Sequence, residues 1–543
     1  MEYRFVDVRG ASLHVRTAGR GPAVLMLHQA PTSARVMESL ITHLADSFFC
    51  IAPDLPGLGR SDPITNLPVT IEKVARVIGD LLDVYGIEKF IAYGSHTGAL
   101  VATELAIQRP QAVAAIVVNG YPIYTLEESA QRLATYFPPI DPVWDGSHLI
   151  WLWYRYREQF IYWPWNTKHP ITRANCPLPN TAYLHAGVAE IAVRHDCYAN
   201  LYAAAFDYDA SGALARNTVQ LHMVIDPEDS LSLKVHHAAR DNKTLRLREI
   251  AAGQSVEAVE YDLLGEIART SSLLARSLPG DEPRSDAMRY WGAERRIVSR
   301  RIVGANKARL CVVLPDFPGG FTALAAELPS QCPSDVMLLD FSGLAIADES
   351  PDRVIAGFSA AVDDLIESIN APNVDLIAHH STAGLAAVTK AKLGKKCGRV
   401  AILDPLPGAQ PAPFDATLCA SGGHLLRLWD RIRFRRLTAD GMPNASSERR
   451  MGLYEDLGRI GRLSWDAVSS FAIIPAVERA LATLQRDAEE LVADPTTLCV
   501  FSGVDHLRFS DAIPKSASTI LQNGPPKQPL ADALRAIASD HPA

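Results

Sequence analysis

Residues 93–100 read YGSHTGAL. A glycine, two polar residues able to do chemistry and a second glycine stand at the end of an apolar run. That is the punctuation of a nucleophile-bearing turn between a strand and a helix. Two residues compete for the reactive position. Ser95 offers a hydroxyl. His96 offers an imidazole whose ordinary pKa near 6.5 lets it exchange a proton at neutral pH. Elsewhere, His28 and Gln29 follow the apolar run VLML and can supply hydrogen-bond donors. Asp54 stands in APDLPGLGRSD, where Gly57, Gly59 and Ser61 read as turn chemistry, so Asp54 is expected to fix a loop. His195-Asp196 and His236-His237 have metal-capable side chains but no third ligand at helical spacing, and no metal or other cofactor is expected.

These residues need elements to hold them. VLMLH, FCIAPD, FIAYG and AIVVNG are short apolar runs, as expected of parallel strands buried on both faces. Amphipathic runs such as IEKVARVIGDLLDVYG (71–86) lie between them. The alternation predicts an α/β fold, with ligands beyond the carboxyl ends of the strands. The pattern then recurs. VLMLHQAPTS is echoed by CVVLPDFPGG, IAPDLPGLGRSD by MLLDFSGLAIAD, FIAYGSHTGALVA by LIAHHSTAGLAAV, and AIVVNGYP by VAILDPLP. His28 to Pro315, Asp54 to Asp340 and Asn119 to Asp404 are offset by 287, 286 and 285 residues. Four blocks in one order at nearly constant offset predict two tandem domains, 1–283 and 284–543. The stretch 273–286 has linker composition. Residues 123–215 interrupt the first half and are rich in aromatics, which predicts a helical lid over an apolar pocket, or aromatics that pack the lid on the body or one half on the other. A second lid is expected at about 408–494.

Length and composition agree. A chain of 543 residues is too long for one core. Its 48% hydrophobic and 21% charged residues are ordinary for a globular protein, and a formal charge of −8 argues against nucleic-acid binding or a polybasic membrane contact. MEYRFVDVRG has no signal-like apolar region, and no run of about 18 apolar residues occurs. The eight cysteines are scattered without a CxxC pair, which fits a reducing cytoplasm.

LMLHQAP, APDLPGLGRSD and GSHTG, in this order, resemble an α/β-hydrolase of the lid-bearing type found in epoxide hydrolases and haloalkane dehalogenases. The likeness is strong over most of the first half and weak but in register in the second. It implies an oxyanion loop at His28-Gln29 and a nucleophile elbow at GSHTG. In an elbow the residues two before and two after the tip must be small. His96 at the tip has Gly94 and Gly98 as these neighbours; Ser95 would have Tyr93 and Thr97. His96 is therefore placed at the tip, where the family carries Ser, Asp or Cys. The resemblance puts the triad acid at Asp229, with Asp226 as a near alternative, and puts Gln254 where the family has its histidine. A Ser-His-Asp acyl-enzyme is thus unsupported in this half. In the second half the elbow is HHSTAG, with Ser381 favoured at the tip and His380 or Thr382 as alternatives. The resemblance gives Asp505 as its acid, no late histidine, and Pro315-Asp316 in the oxyanion loop. This half is expected to be catalytically degenerate and to pack on the first as an intramolecular pseudo-dimer.

His96 paired with Asp229 would be a general base, with Gln29, His28 and the Thr97 amide as oxyanion or substrate-binding groups and Gln254 nearby. That set suits non-covalent hydrolysis, or lyase-type proton transfer, on a small apolar or aromatic molecule. The competing reading is an inactive pseudo-hydrolase that binds a ligand or a protein.

Overall fold

The computed structural model describes residues 1–174, 177–229, 231, 235, 242–251, 254–271, 273, 275–276, 285, 287–292, 296–344, 349–403, 413–434, 457–501, 518–521 and 529–539. The chain divides into two compact units. One is Met1–Ile140 with Trp151–Ser285; the other is Asp141–Ile150 with Asp286–Ala543. Among the described residues no single helix is long and apolar enough to cross a membrane.

In the first unit the strands are β1 (Glu2–Val8), β2 (Ala11–Ala18), β3 (Gly21–Leu27), β4 (Phe49–Pro53), β5 (Phe90–Ser95), β6 (Val113–Asn119), β7 (Leu221–Ile225), β8 (Leu245–Glu249) and β9 (Ala275–Arg276). They order as β1-β2-β4-β3-β5-β6-β7-β8, with β9 pairing β3 off this path. β1, β2 and β4 pair antiparallel in turn. From β4 across to β8 every ladder is parallel. All of β4 and the first five residues of β5 are buried, because helices cover both faces of a parallel sheet. The helix Ile71–Val84 shows how the cover is made. Thr70 caps it by accepting the Lys73 N–H, and Ile71, Val74, Ile78 and Leu82 recur at helical spacing and are buried. β9 falls inside the stretch expected as linker, where it pairs Ala275 with Pro22. Beyond it, the Ser285 amide donates to the Phe5 carbonyl at 2.7 Å.

Between β6 and β7 the chain forms the helices Leu126–Thr135, Ser147–Glu158, Thr181–Val193, Tyr198–Asp207 and Ala210–Arg216, in the stretch expected as the first lid.

The second unit holds β10 (Met288–Trp291), β11 (Ile297–Ile302), β12 (Asn306–Leu314), β13 (Ser334–Asp340), β14 (Asn373–His379), β15 (Cys397–Leu403), β16 (Thr497–Phe501) and β17 (Ser518–Leu521). Their order, β10-β11-β13-β12-β14-β15-β16-β17, follows the same path as the first sheet. The directions match too, antiparallel through β10, β11 and β13 and parallel onward. The decapeptide Asp141–Ile150 is built into this unit. The Trp429 indole N–H donates to the Trp144 carbonyl at 3.1 Å. The His148 ring meets Trp429 and Trp465 edge-on, with centroids 4.8 and 5.0 Å away. Gly146, at φ +76°, lies so close that an added Cβ would stand 2.6 Å from the Trp429 ring.

Candidate active site

The candidate site forms at the carboxyl ends of β5, β6 and β7. β5 ends at Ser95, and the next residue, His96, has φ +47° and ψ −109° before the helix Thr97–Gln108 begins. Among the described non-glycine residues only Arg9 and His96 have positive φ. A non-glycine residue there is strained and must be held by its surroundings. Its N–H donates to the Asn119 carbonyl at 3.0 Å, and its carbonyl accepts the Ala99 N–H at 2.9 Å. The neighbours leave no room for side chains. A Cβ on Gly94 would stand 2.3 Å from the Gly98 carbonyl oxygen, and one on Gly98 would stand 2.0 Å from that of Leu27.

The imidazole meets the loop after β7. Its Nε2 lies 2.8 Å from Asp229 Oδ2, and Asp229 Oδ1 accepts the Leu231 N–H at 2.9 Å. Burial would lower the His96 pKa, but the Asp229 charge and hydrogen bond, with Asp226 behind them, outweigh it and hold the ring above 6.5. Burial would raise the Asp229 pKa; His96 and the Leu231 amide hold it below the ordinary carboxylate value. With the carboxylate ionised, the ring proton sits on Nε2, so Nδ1 carries the lone pair of the neutral imidazole. Asp226 does not touch the ring. Its Oδ1 accepts the Glu228 N–H at 2.9 Å.

His96 and Asp229 open onto a cavity of about 340 Å³. Gln29, Ser95 and Thr97 line it beside them, and Tyr124, Phe160, Trp163, Tyr202 and Phe206 give it an aromatic wall. The Thr97 amide belongs to the first turn of its helix, where N–H groups have no partner within the helix.

Two sequence candidates lie elsewhere. His28 is fully buried. Its Nδ1 donates to the Gln29 carbonyl at 2.9 Å and its Nε2 accepts the Leu55 N–H at 2.8 Å, so both nitrogens serve the backbone. Gln254 is exposed, and its Oε1 accepts the Ala251 N–H at 3.2 Å, closing its own loop. Asp54 does not line the cavity either. It holds Arg16 at 2.6 Å, His14 at 2.8 Å and the amides of Ala34 and Arg60. Burial alone would raise its pKa, but Arg16 and then His14 hold it well below the ordinary value.

In the second unit β14 leads through a 3-10 turn, His380–Thr382, into the helix Ala383–Leu393, and no residue of that turn has positive φ. Ser381 Oγ donates to Asp316 Oδ1 at 2.7 Å and accepts the Phe317 N–H at 3.0 Å. Asp505 lies outside the described residues. Among the described residues no three His, Cys, Asp or Glu side chains gather as a metal site.

Two residues that the sequence reading did not single out support the dyad. Gly120, at φ +66°, leaves the space that the dyad fills, since a Cβ there would stand 2.0 Å from His96 Cδ2 and 2.3 Å from Asp229 Oδ2. Glu260 is 2% exposed and accepts from Tyr93 Oη at 2.8 Å and from Asn119 Nδ2 at 3.0 Å. Burial raises its pKa to about 7 against those two hydrogen bonds. The glycine closing VVNGYP was a readable turn signal; Glu260 lies in an amphipathic helix and gave none.

Residues 22–139 match the family model described as the α/β hydrolase fold. Haloalkane dehalogenase 2 of Mycobacterium tuberculosis is 30% identical over 142 residues, 26% of this chain and 50% of that protein. Epoxide hydrolase 3 of Siraitia grosvenorii is 31% identical over 121 residues, 22% of this chain and 38% of that protein. The chain thus spans half or less of these curated relatives. Among solved structures, epoxide hydrolase A from Mycobacterium thermoresistibile overlaps 50% of this chain and 99% of its own, at 20% identity and a TM-score of 0.39. Over residues 22–139, in its first unit, the chain is thus similar to proteins of the α/β hydrolase fold.

Proposed function

We propose that the first unit is an enzyme in which His96, oriented by Asp229, acts as a general base on a small apolar or aromatic molecule in the cavity. The 2.8 Å His96–Asp229 pair at the elbow tip carries this reading. The carboxylate fixes the ring and its tautomer, and Nδ1 accepts the proton. In hydrolysis that proton comes from water, whose oxygen attacks the substrate carbonyl; the leaving group then takes the proton back from the imidazolium. In the lyase variant the proton comes from a substrate carbon. Neither route forms an acyl-enzyme, because the tip carries no hydroxyl or carboxylate. The amide of Thr97, and Gln29 in the cavity lining, are the groups that would face developing negative charge.

The relatives named as a dehalogenase and an epoxide hydrolase favour hydrolysis as the default. Turnover of a panel of aryl esters by wild type and His96→Ala tests the reading. It requires activity in the first and its loss in the second, with no serine labelled by a fluorophosphonate in either. A second reading, ligand binding without turnover, is favoured by the place of Gln254, which closes a loop outside the cavity lining. Saturable binding with no turnover across the panel would select it.

A further inference from the structure

Arg155 is 1% exposed, inside a cluster of rings. Its guanidinium carbon lies 5.4, 5.6 and 5.8 Å from the ring centres of Tyr136, Trp165 and Tyr202. Nη1 donates to Gln159 Oε1 at 2.9 Å, and the other neighbours of the guanidinium are the neutral hydroxyls of Tyr198 and Tyr202. Arg132, 8% exposed, repeats the arrangement. It lies 4.4 Å from the Tyr124 ring centre and 5.8 Å from that of Phe206. Its Nη1 donates to the Glu128 carbonyl at 3.1 Å, and its Nε is buried without a partner. Among the described residues no carboxylate forms an ion pair with either one.

A buried cation without a counter-charge is costly. Aromatic faces return part of that cost, but they do not cancel the charge. The rings that receive these cations also line the cavity: Tyr124, Phe206 and Tyr202 do, as does Gln159. Two positive charges with no ion-pair partner among the described residues therefore stand one side chain behind the cavity wall, where water screens little. Three carboxylates also line the cavity. Asp229 is engaged with His96, Asp226 is partly exposed, and Glu228 is exposed to water.

We propose that the molecule bound at the His96 site carries an anionic oxygen group, such as a carboxylate, on its aromatic or apolar body, seated against the wall backed by Arg155 and Arg132. This names the substrate class for the site proposed above and rests on that reading. The volume suits a one- or two-ring acid.

The test is calorimetric titration of the full chain at pH 8 with 2-naphthoate and with its neutral isostere 2-naphthamide. Naphthoate is expected to bind at least tenfold tighter. Arg155→Met and Arg132→Met should each cut that ratio several-fold, and Arg155→Lys should keep most of it. Should the methionine variants fail to fold, the wild-type ratio decides alone. Equal affinities, a preference for the amide, or no naphthoate binding at millimolar concentration overturns the proposal. The two readings fail separately. Equal binding beside an inactive His96→Ala sinks only the anionic substrate, whereas a naphthoate preference beside a fully active His96→Ala sinks only the general base.

Discussion

His96 Nε2 and Asp229 Oδ2 stand 2.8 Å apart although 133 residues separate them in the chain. A strained strand-to-helix turn delivers the histidine, and the loop after the next parallel strand but one delivers the carboxylate.

Removing the imidazole should abolish turnover while sparing the fold. For His96→Ala we expect a loss of 10²–10⁴ in kcat/KM, the range of general-base catalysis. Unfolding temperature should fall by a few degrees at most, since alanine keeps the strain of the positive φ and only the hydrogen bond to Asp229 is lost. Undiminished kcat/KM in a folded variant contradicts the proposed role.

The rate should climb with pH. His96 is held above 6.5 by Asp229, and only its neutral form accepts a proton. The rising limb of the kcat/KM profile therefore has its midpoint above 6.5. Asp229→Asn removes the charge and leaves burial, so the midpoint should drop. The stability signs are opposite for the two partners. The His96 contribution is lost as pH rises through its raised pKa; the Asp229 contribution is lost as pH falls through its depressed one. A profile indifferent to Asp229→Asn would dissociate the pair from the rate.

Gly120→Ala adds only a methyl group, yet that methyl would collide with both members of the dyad. We expect about 10²-fold lower activity from displaced groups. The positive φ adds about 1–2 kcal/mol of destabilisation. Wild-type rates in this variant would mean that the ring and the carboxylate act apart.

Glu260→Gln should stabilise the protein in alkaline but not in acid solution. The folded carboxyl titrates near 7 and the free one near 4.5. Folding therefore loses stability between those values, by about 3 kcal/mol once both states are ionised. Glutamine keeps an acceptor for Tyr93 and Asn119 without the charge. Thermal scans at pH 8 should show a gain of several degrees, and scans at pH 5 little change.

Ser381→Ala should leave turnover within twofold, because the hydroxyl is tied to Asp316 and Phe317 in a relaxed turn. Stability should fall by about 1 kcal/mol. Loss of ester turnover in this variant would move the chemistry to the second unit.

What could be read from the sequence was what local rules decide. The register of YGSHTGAL follows from Gly94 and Gly98, whose missing side chains are a backbone requirement visible two residues either side of the tip. The strands announced themselves as short apolar runs, and the repeated blocks fall on corresponding strands, β3 with β12 and β5 with β14. His28 and Gln254 were placed by family position alone, and their side chains found nearer partners in the backbone. Glu260 and Arg155 were illegible for the opposite reason. A charged residue in an amphipathic helix normally faces water, and only tertiary packing buries it. The aromatics of 123–215 could not show which core each would join.

Trp144 is such a case, and its hydrogen bond from Trp429 spans 285 residues. Bringing those two together from an extended chain closes a very large loop, whose entropy cost grows with its length. The cost shrinks once the intervening strands have condensed, so this contact belongs late in the order of assembly. A cut between Ser285 and Asp286 also does not separate two complete folding units. The C-terminal fragment would be missing ten residues of its own unit, His148 and Leu149 of its core among them, and a biologist dividing this chain at the obvious seam would be testing an incomplete protein.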